Sequence, residues 1–379
     1  MSVWDDLVGQ GPVVEQLSSA AEGTSGLAHA WLFTGPPGSG RVTAARSFAA
    51  ALQCEETPRG CGHCASCHQV LQGTHADVAV VRPQGLSFGV GEARELVLSS
   101  ASRPTGGRWQ IVLFEEAERA TERAANALLK AIEEPAPQTI WLLCTPSPED
   151  LLVTIRSRCR QVMLRTPPTA AISEFLVQRD GVDRETAEVV ARASQGHISR
   201  ARSLATDAEE WRRRGAVVEI PRRLTGVASA VVAAEKLYQA VKAEAKARTT
   251  ELDEAETSEL RHALGENAKG RMPRGTVGAL KDLEKRQKSR ATRSERDAFD
   301  RRLLDLASYY RDVLRLQLGA GNDLFNVDLE PELRTAARNG RPEDTVRRLN
   351  AIMQCRERVA ANVHPQIAFE SLTLALRTG

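Results

Sequence analysis

Four cysteines, Cys54, Cys61, Cys64 and Cys67, fall within 14 residues of one another. Pro58, Gly60 and Gly62 supply the turns needed to gather them. Four thiolates at this spacing suit a closed, tetrahedral, structural Zn²⁺ with no position left open for catalysis. His63, His68 and His75 stand nearby as spare ligands. Two other chemistries use similar spacing. Cys64-Ala-Ser-Cys67-His68 has the form of a c-type haem attachment, which requires export. A C-x₂-C-x₂-C run also occurs in iron–sulfur proteins, although the usual fourth Cys followed by Pro is missing here. Cys144, Cys159 and Cys355 lie in apolar or helical surroundings and read as inert thiols.

The second constellation is Thr34-Gly35-Pro36-Pro37-Gly38-Ser39-Gly40-Arg41-Val42. Gly35 and Gly40 have the spacing of a phosphate loop, and Gly38 adds freedom between them. Such glycines let successive N–H groups and the start of a helix face an anion. The two residues that do the chemistry are replaced. Arg41 stands where a Lys neutralises the β- and γ-phosphates, and Val42 stands where a hydroxyl holds Mg²⁺. Arg keeps the charge but is planar and bulkier, and Val offers no ligand. Weak phosphate binding is compatible with this loop; hydrolysis is not expected. A hydrophobic run ending in Glu115-Glu116 has the form of the acidic strand end that would hold Mg²⁺ and orient water, or of an exposed acidic helix start. Thr154-Ile155-Arg156-Ser157-Arg158-Cys159-Arg160 is either surface charge or an arginine that reaches a neighbouring subunit's phosphate.

The elements that must position these residues follow from periodicity. Between Ala30 and Arg165, short apolar runs (Ala30–Phe33, Asp77–Val81, Gln110–Phe114, Thr139–Cys144, Gln161–Leu164) alternate with helical patterns (Val42–Gln53, Glu92–Ser102, Thr121–Glu133). That alternation predicts a parallel sheet covered by helices. Pro167–Pro168 marks a boundary. Thr169–Gln178, Arg184–Ser194 and Ile198–Leu204 read as three short helices, and the rest is helical, with long amphipathic stretches at Val227–Lys246 and Ser294–Leu318. Lys269–Arg293 carries nine cations against two acids, either a solvated loop and helix face or a contact for nucleic-acid phosphates or an acidic partner.

With 379 residues, the chain has room for about two or three domains. Hydrophobic residues make up 42% and the net charge is +2, which excludes a wholly disordered chain and a strongly basic packaging protein. Aromatics are 4% and are not interleaved with cations, which excludes single-strand binding by base stacking. The 51 cations divide into 8 Lys and 43 Arg, and no Lys precedes Lys130. Residues 1–10 carry Trp4, Asp5 and Asp6 and no apolar signal core, and no run reaches the roughly 18 apolar residues of a spanning helix. A cytoplasmic chain with reduced thiols and no membrane contact is expected.

Taken together, these residues resemble the AAA+ clamp-loader family. Leu7-Val8-Gly9-Gln10 is similar to its opening motif, and Leu27-Ala28-His29-Ala30-Trp31-Leu32-Phe33-Thr34-Gly35 to its entry into the phosphate loop. The cysteine cluster follows the first loop helix, as in this family. Ala124-Ala125-Asn126-Ala127-Leu128-Leu129-Lys130-Ala131-Ile132-Glu133-Glu134-Pro135 is a long match. Ser157-Arg158-Cys159 resembles the arginine-finger motif, and Gly196-His197-Ile198-Ser199-Arg200-Ala201 the second-sensor helix with Arg200 as phosphate sensor. The match weakens towards the C-terminus, at Asn362 to Leu376. The resemblance implies an α/β P-loop AAA+ module at 1–167 with an inserted zinc module at 54–67, a three-helix lid at 168–206 and an all-α collar at 207–379. It implies a degenerate nucleotide pocket at Gly35, Gly38, Gly40, Arg41, Val42 and Arg200, with ATP or ADP binding there doubtful. Arg158 would act in trans. The family's motor subunits keep Lys and a hydroxyl in the loop; Arg41 and Val42 instead imply a non-hydrolysing, stator-like subunit without catalysis of its own, the alternative being an ATP-hydrolysing motor. Implied partners are gamma/tau motor subunits and a delta subunit in a hetero-pentamer of the polymerase III holoenzyme, with the sliding clamp and primer-template DNA met through the complex.

Overall fold

The computed structural model describes residues 2–24, 26–264, 277–321 and 323–378. They divide into two compact units, residues 1–83 with 87–205, and residues 84–86 with 206–379.

In the first unit, α1 (Gly11–Glu22) leads to β1 (Ala30–Thr34), α2 (Arg41–Gln53), α3 (Ala65–Gln72), β2 (Val78–Val81), α4 (Val90–Ser100), β3 (Gln110–Phe114), α5 (Glu122–Glu133), β4 (Thr139–Thr145), α6 (Val153–Arg156) and β5 (Arg160–Met163). The described strands form a five-stranded sheet in the order β2-β3-β4-β1-β5, and every pairing is parallel. β1, β3 and β4 are buried along their whole length. Alternation sends Trp31, Phe33, Ile111, Leu113, Ile140 and Leu142 to one face, packed with α1 and α2. Leu32, Val112, Phe114, Trp141 and Leu143 go to the other, packed with α4 and α5. Covering both faces is what makes the strands read as near-continuous apolar runs. The loop after β1 therefore leaves the carboxyl end of an inner strand, where open α/β sheets bind ligands.

Two contacts across long sequence distances close this unit. Gln10 Nε2 donates to the Arg165 carbonyl at 2.6 Å and to the Ser39 carbonyl at 3.3 Å. Gly9, at φ +70°, lies so close to Pro168 that an added Cβ would stand 2.9 Å from its Cδ. Asp77, just ahead of β2, accepts from the amides of Thr105, Gly106 and Gly107 and from the Thr105 hydroxyl. Burial alone would raise its carboxyl, but these bonds outweigh it and hold the pKa at about 2, below the usual 3.8. Because the folded pKa is depressed, the stabilisation is complete above about pH 4 and is lost as pH falls towards 2. Asp77→Ala is expected to cost about 2 kcal/mol at neutral pH and to flatten the acid limb of a stability-versus-pH curve in that window, read by urea titrations.

After β5, α7 (Thr169–Asp180), α8 (Arg184–Ala193) and α9 (Ile198–Thr206) follow. α8 is capped by Asp183, which accepts from the Thr186 amide at 2.9 Å.

The second unit is helical: α10 (Ala208–Val218), α11 (Ile220–Arg223), α12 (Val227–Ala263), α13 (Val277–Gln317), α14 (Glu330–Asn339), α15 (Pro342–Ala360) and α16 (Pro365–Thr378). Its apolar core joins Leu237 and Val241 of α12, Phe299, Leu303 and Leu306 of α13, Ile352 of α15 and Phe369 of α16. Inside it, fully buried Arg302 donates to Glu210 at 2.7 Å and Glu244 at 2.8 Å, tying α10, α12 and α13. The long helices exceed the sequence expectation: α12 runs 17 residues beyond Lys246, and α13 starts 17 residues before Ser294. No helix among the described residues is long and apolar enough to cross a membrane.

Candidate functional site

The glycine-rich loop connects β1 to α2. Gly35, Gly38 and Gly40 sit at φ +148°, +84° and +90°, conformations that L side chains rarely adopt. Space enforces the choice at two of them. A Cβ on Gly35 would stand 2.5 Å from the Leu164 carbonyl oxygen, and one on Gly38 would stand 2.5 Å from His197 Cγ. His197 immediately precedes α9, so the loop is covered by the segment that carries Arg200, and the Arg200 amide donates to His197 Nδ1 at 3.4 Å.

Arg41, the first residue of α2, turns back on the loop. Its Nη1 donates to the Gly35 carbonyl and, at 2.8 Å, to the Pro36 carbonyl. Burial pulls its pKa down, countered by the nearby Cys144, Glu118, Glu116 and Asp150. An arginine still carries its charge under all working conditions. The guanidinium thus caps the loop's own acceptors. Val42 packs against the apolar core beneath the sheet and presents no oxygen.

The acidic strand end is also committed. Glu115 is 6% exposed and pairs with Arg46 of α2 at 3.0 Å and with Arg82 at 3.6 Å. Glu116 adopts φ +56° and pairs with Arg119 at 2.9 Å. Burial raises the Glu118 carboxyl. Local spacing gives no sign of Arg46 as the counter-ion of Glu115, because the partners are 69 residues apart in sequence. Nor does it point to His197 as the residue that packs on Gly38, although His197 lies within the stretch that ends at Arg200.

Arg158 lies between α6 and β5. Its Nη2 donates to Glu133 at 2.8 Å and its Nη1 to the Thr154 carbonyl at 2.8 Å. The hydrogen bond it donates to Glu133 raises its pKa. Both partners are solvent-accessible, so this pair is screened and readily exchanged for another anion. Among the described residues, Arg158 shares no hydrogen-bond partner with Gly35, Gly38, Gly40 or Arg41.

Cys54 follows the last residue of α2, Cys61 and Cys64 lie on the following loop, and Cys67 is in the first turn of α3. Their four sulfurs lie within 4.8 Å of one another. A tetrahedral Zn²⁺ with bonds of about 2.3 Å requires sulfurs about 3.8 Å apart, and Cys54 and Cys64 stand at 3.9 Å. The Cys64 amide donates to Cys61 Sγ and the Cys67 amide to Cys64 Sγ, each at 3.4 Å. Burial alone would raise the Cys54 thiol, but hydrogen bonds around Cys61, Glu56 and Gly60 bring it to about 7. Burial pushes Cys61 and Cys67 up. Four thiols converging on one point, with amides aimed at the sulfurs, is the donor set a structural Zn²⁺ takes. His75 Nδ1 accepts instead from the Asp77 amide, at 3.1 Å.

Residues 9–168 match the family described as DNA polymerase III, delta subunit. A DNA polymerase III subunit delta' of Pseudomonas aeruginosa is 38% identical over 44% of this chain and 52% of its own length. A delta' subunit of Bacillus subtilis is 25% identical over 93% and 92%. A tau/gamma subunit of Haemophilus influenzae is 33% identical over 54% of this chain but 30% of its own length. The chain thus spans about half of the Pseudomonas relative and about a third of the Haemophilus one. Among solved structures, a gamma subunit-related protein of Thermotoga maritima covers 96% of the chain at 16% identity, with a TM-score of 0.41. Sheet, phosphate-type loop and relatives converge on residues 9–168, which match the clamp-loader family of DNA polymerase III subunits.

Proposed function

We propose that the chain is a non-hydrolysing, delta-prime-type clamp-loader subunit that supplies Arg158 in trans to a neighbour's ATP site. The observation that carries this reading is Arg41. In a motor subunit the residue at that position engages phosphate; here it is hydrogen-bonded to the loop's own Gly35 and Pro36 carbonyls. Val42 supports it by lacking a Mg²⁺ ligand, and Glu115 by being paired with Arg46 and Arg82. In this reading residues 168–206 form a lid whose Arg200 lies over the degenerate pocket, residues 207–379 form a collar, and Cys54, Cys61, Cys64 and Cys67 hold a structural Zn²⁺. The partners are the gamma/tau motor subunits and a delta subunit of a hetero-pentamer, with clamp and primer-template DNA reached through that assembly.

The alternative, an ATP-hydrolysing motor, draws on the tau/gamma relatives. Turnover separates the two. The isolated chain with Mg²⁺ and ATP is expected to release no phosphate above the protein-free background. Release at the rate of an intact motor subunit would make the chain a motor and sink the stator reading.

A further inference from the structure

The long helices of the second unit run past its apolar core. Between Ala245 on α12 and Ala298 on α13, the buried residues among those described are Thr249, Leu283 and Arg293. Residues 246–263 and 277–293 therefore form a two-helix arm, about 27 Å long at the rise of an α-helix. Antiparallel pairing is fixed by polar contacts. Ser294 Oγ donates to the Ala245 carbonyl at 3.3 Å, and Gln287 Nε2 to the Asp253 carbonyl at 2.9 Å. Arg290 binds both Asp253 and Glu256, which uses the acids of α12 that face α13.

Leu283, Gln287 and Arg290 mark the side of α13 turned to α12. Lys281, Lys285 and Lys288, at i, i+4 and i+7, fall on the opposite side within about 60° of arc. All three are exposed, and among the described residues none of their ammonium groups makes a hydrogen bond or ion pair; Lys288 meets Thr292 through its backbone carbonyl alone. They are three of the eight lysines in a chain that otherwise prefers arginine. Thr292 continues the row, and no aromatic residue occurs between Tyr238 and Phe299. Lys269, Arg271 and Arg274, which sequence reading grouped with this stretch, lie outside the described residues.

We propose that this face of the arm binds the phosphate backbone of duplex DNA without reading its sequence. Three ammonium groups along about 10 Å of helix match about three phosphate steps of one strand, at roughly 3.4 Å each along the axis. Ammonium groups are compact point charges that position a backbone without the bidentate geometry of base readout. The face lacks the aromatic platforms that single strands require and the apolar centre that protein partners require. Glu251, Glu254 and Glu259 on α12, and Asp282 and Glu284 on either flank of the lysine row, are exposed and repel phosphate, which confines the contact to the row itself. This inference stands apart from the stator reading, since it involves neither the loop nor Arg158.

The test is binding of the full chain to a labelled duplex of mixed sequence across a salt series, followed by fluorescence anisotropy. Replacing Lys281→Gln, Lys285→Gln and Lys288→Gln together should lower the slope of log K against log salt by about 2.7, at roughly 0.9 per phosphate contact. That is about a 40-fold difference in how far affinity falls between roughly 50 and 200 mM salt. The corresponding triple Lys→Arg variant should keep the wild-type slope, and unchanged thermal unfolding of both variants separates lost charge from lost fold. An unchanged slope in the Gln variant, no duplex binding by the wild-type chain at low salt, or displacement of the duplex by poly-glutamate of equal charge at equal concentration would each overturn the proposal.

Discussion

Replacing Cys61 and Cys64 together with serine is expected to strip metal from the chain and to unfold at least the stretch from Cys54 to Gly73. Structural zinc contributes about 10–16 kcal/mol in small zinc-binding peptides, against roughly 5–15 kcal/mol for the net stability of a whole domain. The stretch has little else to hold it: of α3, only Cys67 and Val70 are buried. The damage would spread. The Val3 amide donates to the Gly60 carbonyl at 3.0 Å, and Ser47 Oγ of α2 donates to the Val3 carbonyl at 2.7 Å. Elemental analysis should find about one zinc per wild-type chain and none in the variant, and the variant should melt well below the wild type. A metal-free chain that melts at the wild-type temperature would show that the cysteines are idle.

Arg158→Ala is expected to depress the DNA-stimulated ATPase of the reconstituted complex by tenfold or more, while the complex still assembles. Arginine fingers are worth about 10³–10⁵ in rate for single-site NTPases, and the effect is diluted where several sites turn over together. Among the described residues the side chain binds Glu133, Thr154 and Ser157, all on the protein surface, so truncation should leave the fold intact. Arg158→Lys keeps the charge but loses the planar fork and should also lose most of the stimulation. Glu133→Ala releases the arginine and should leave stimulation in place. Full ATPase activity in the Arg158→Ala complex would refute the role.

What was legible in the sequence depended on how each element is held. β3 runs over Gln110–Phe114 as its apolar pattern predicts, and α8 starts after Asp183, because burial on both faces and a capping side chain are local signals. The pattern at Val227–Lys246 stopped short because α12 continues to Ala263 on polar pairing. Arg290 with Asp253 and Glu256 does there what apolar periodicity does elsewhere, and that pairing spans 34 to 37 residues. The same divide runs through the candidate site. The identities of Gly35, Gly40, Arg41 and Val42 are plain in the sequence. The direction of Arg41, the counter-ion of Glu115 and the packing of His197 on Gly38 are set by tertiary contacts that no local window contains.

The clasp between Gln10 and Arg165 gives the first unit a timetable. Its two ends are 155 residues apart. A ribosome adds roughly 5–20 residues per second, so Gln10 waits about 8–30 s after its own synthesis before its partner exists. For most of that interval β1 has α2 to pack against but neither β4 nor β5 beside it, and the Gly9 turn has no Pro168 to close on. The opening residues, made first, are thus among the last to be fixed.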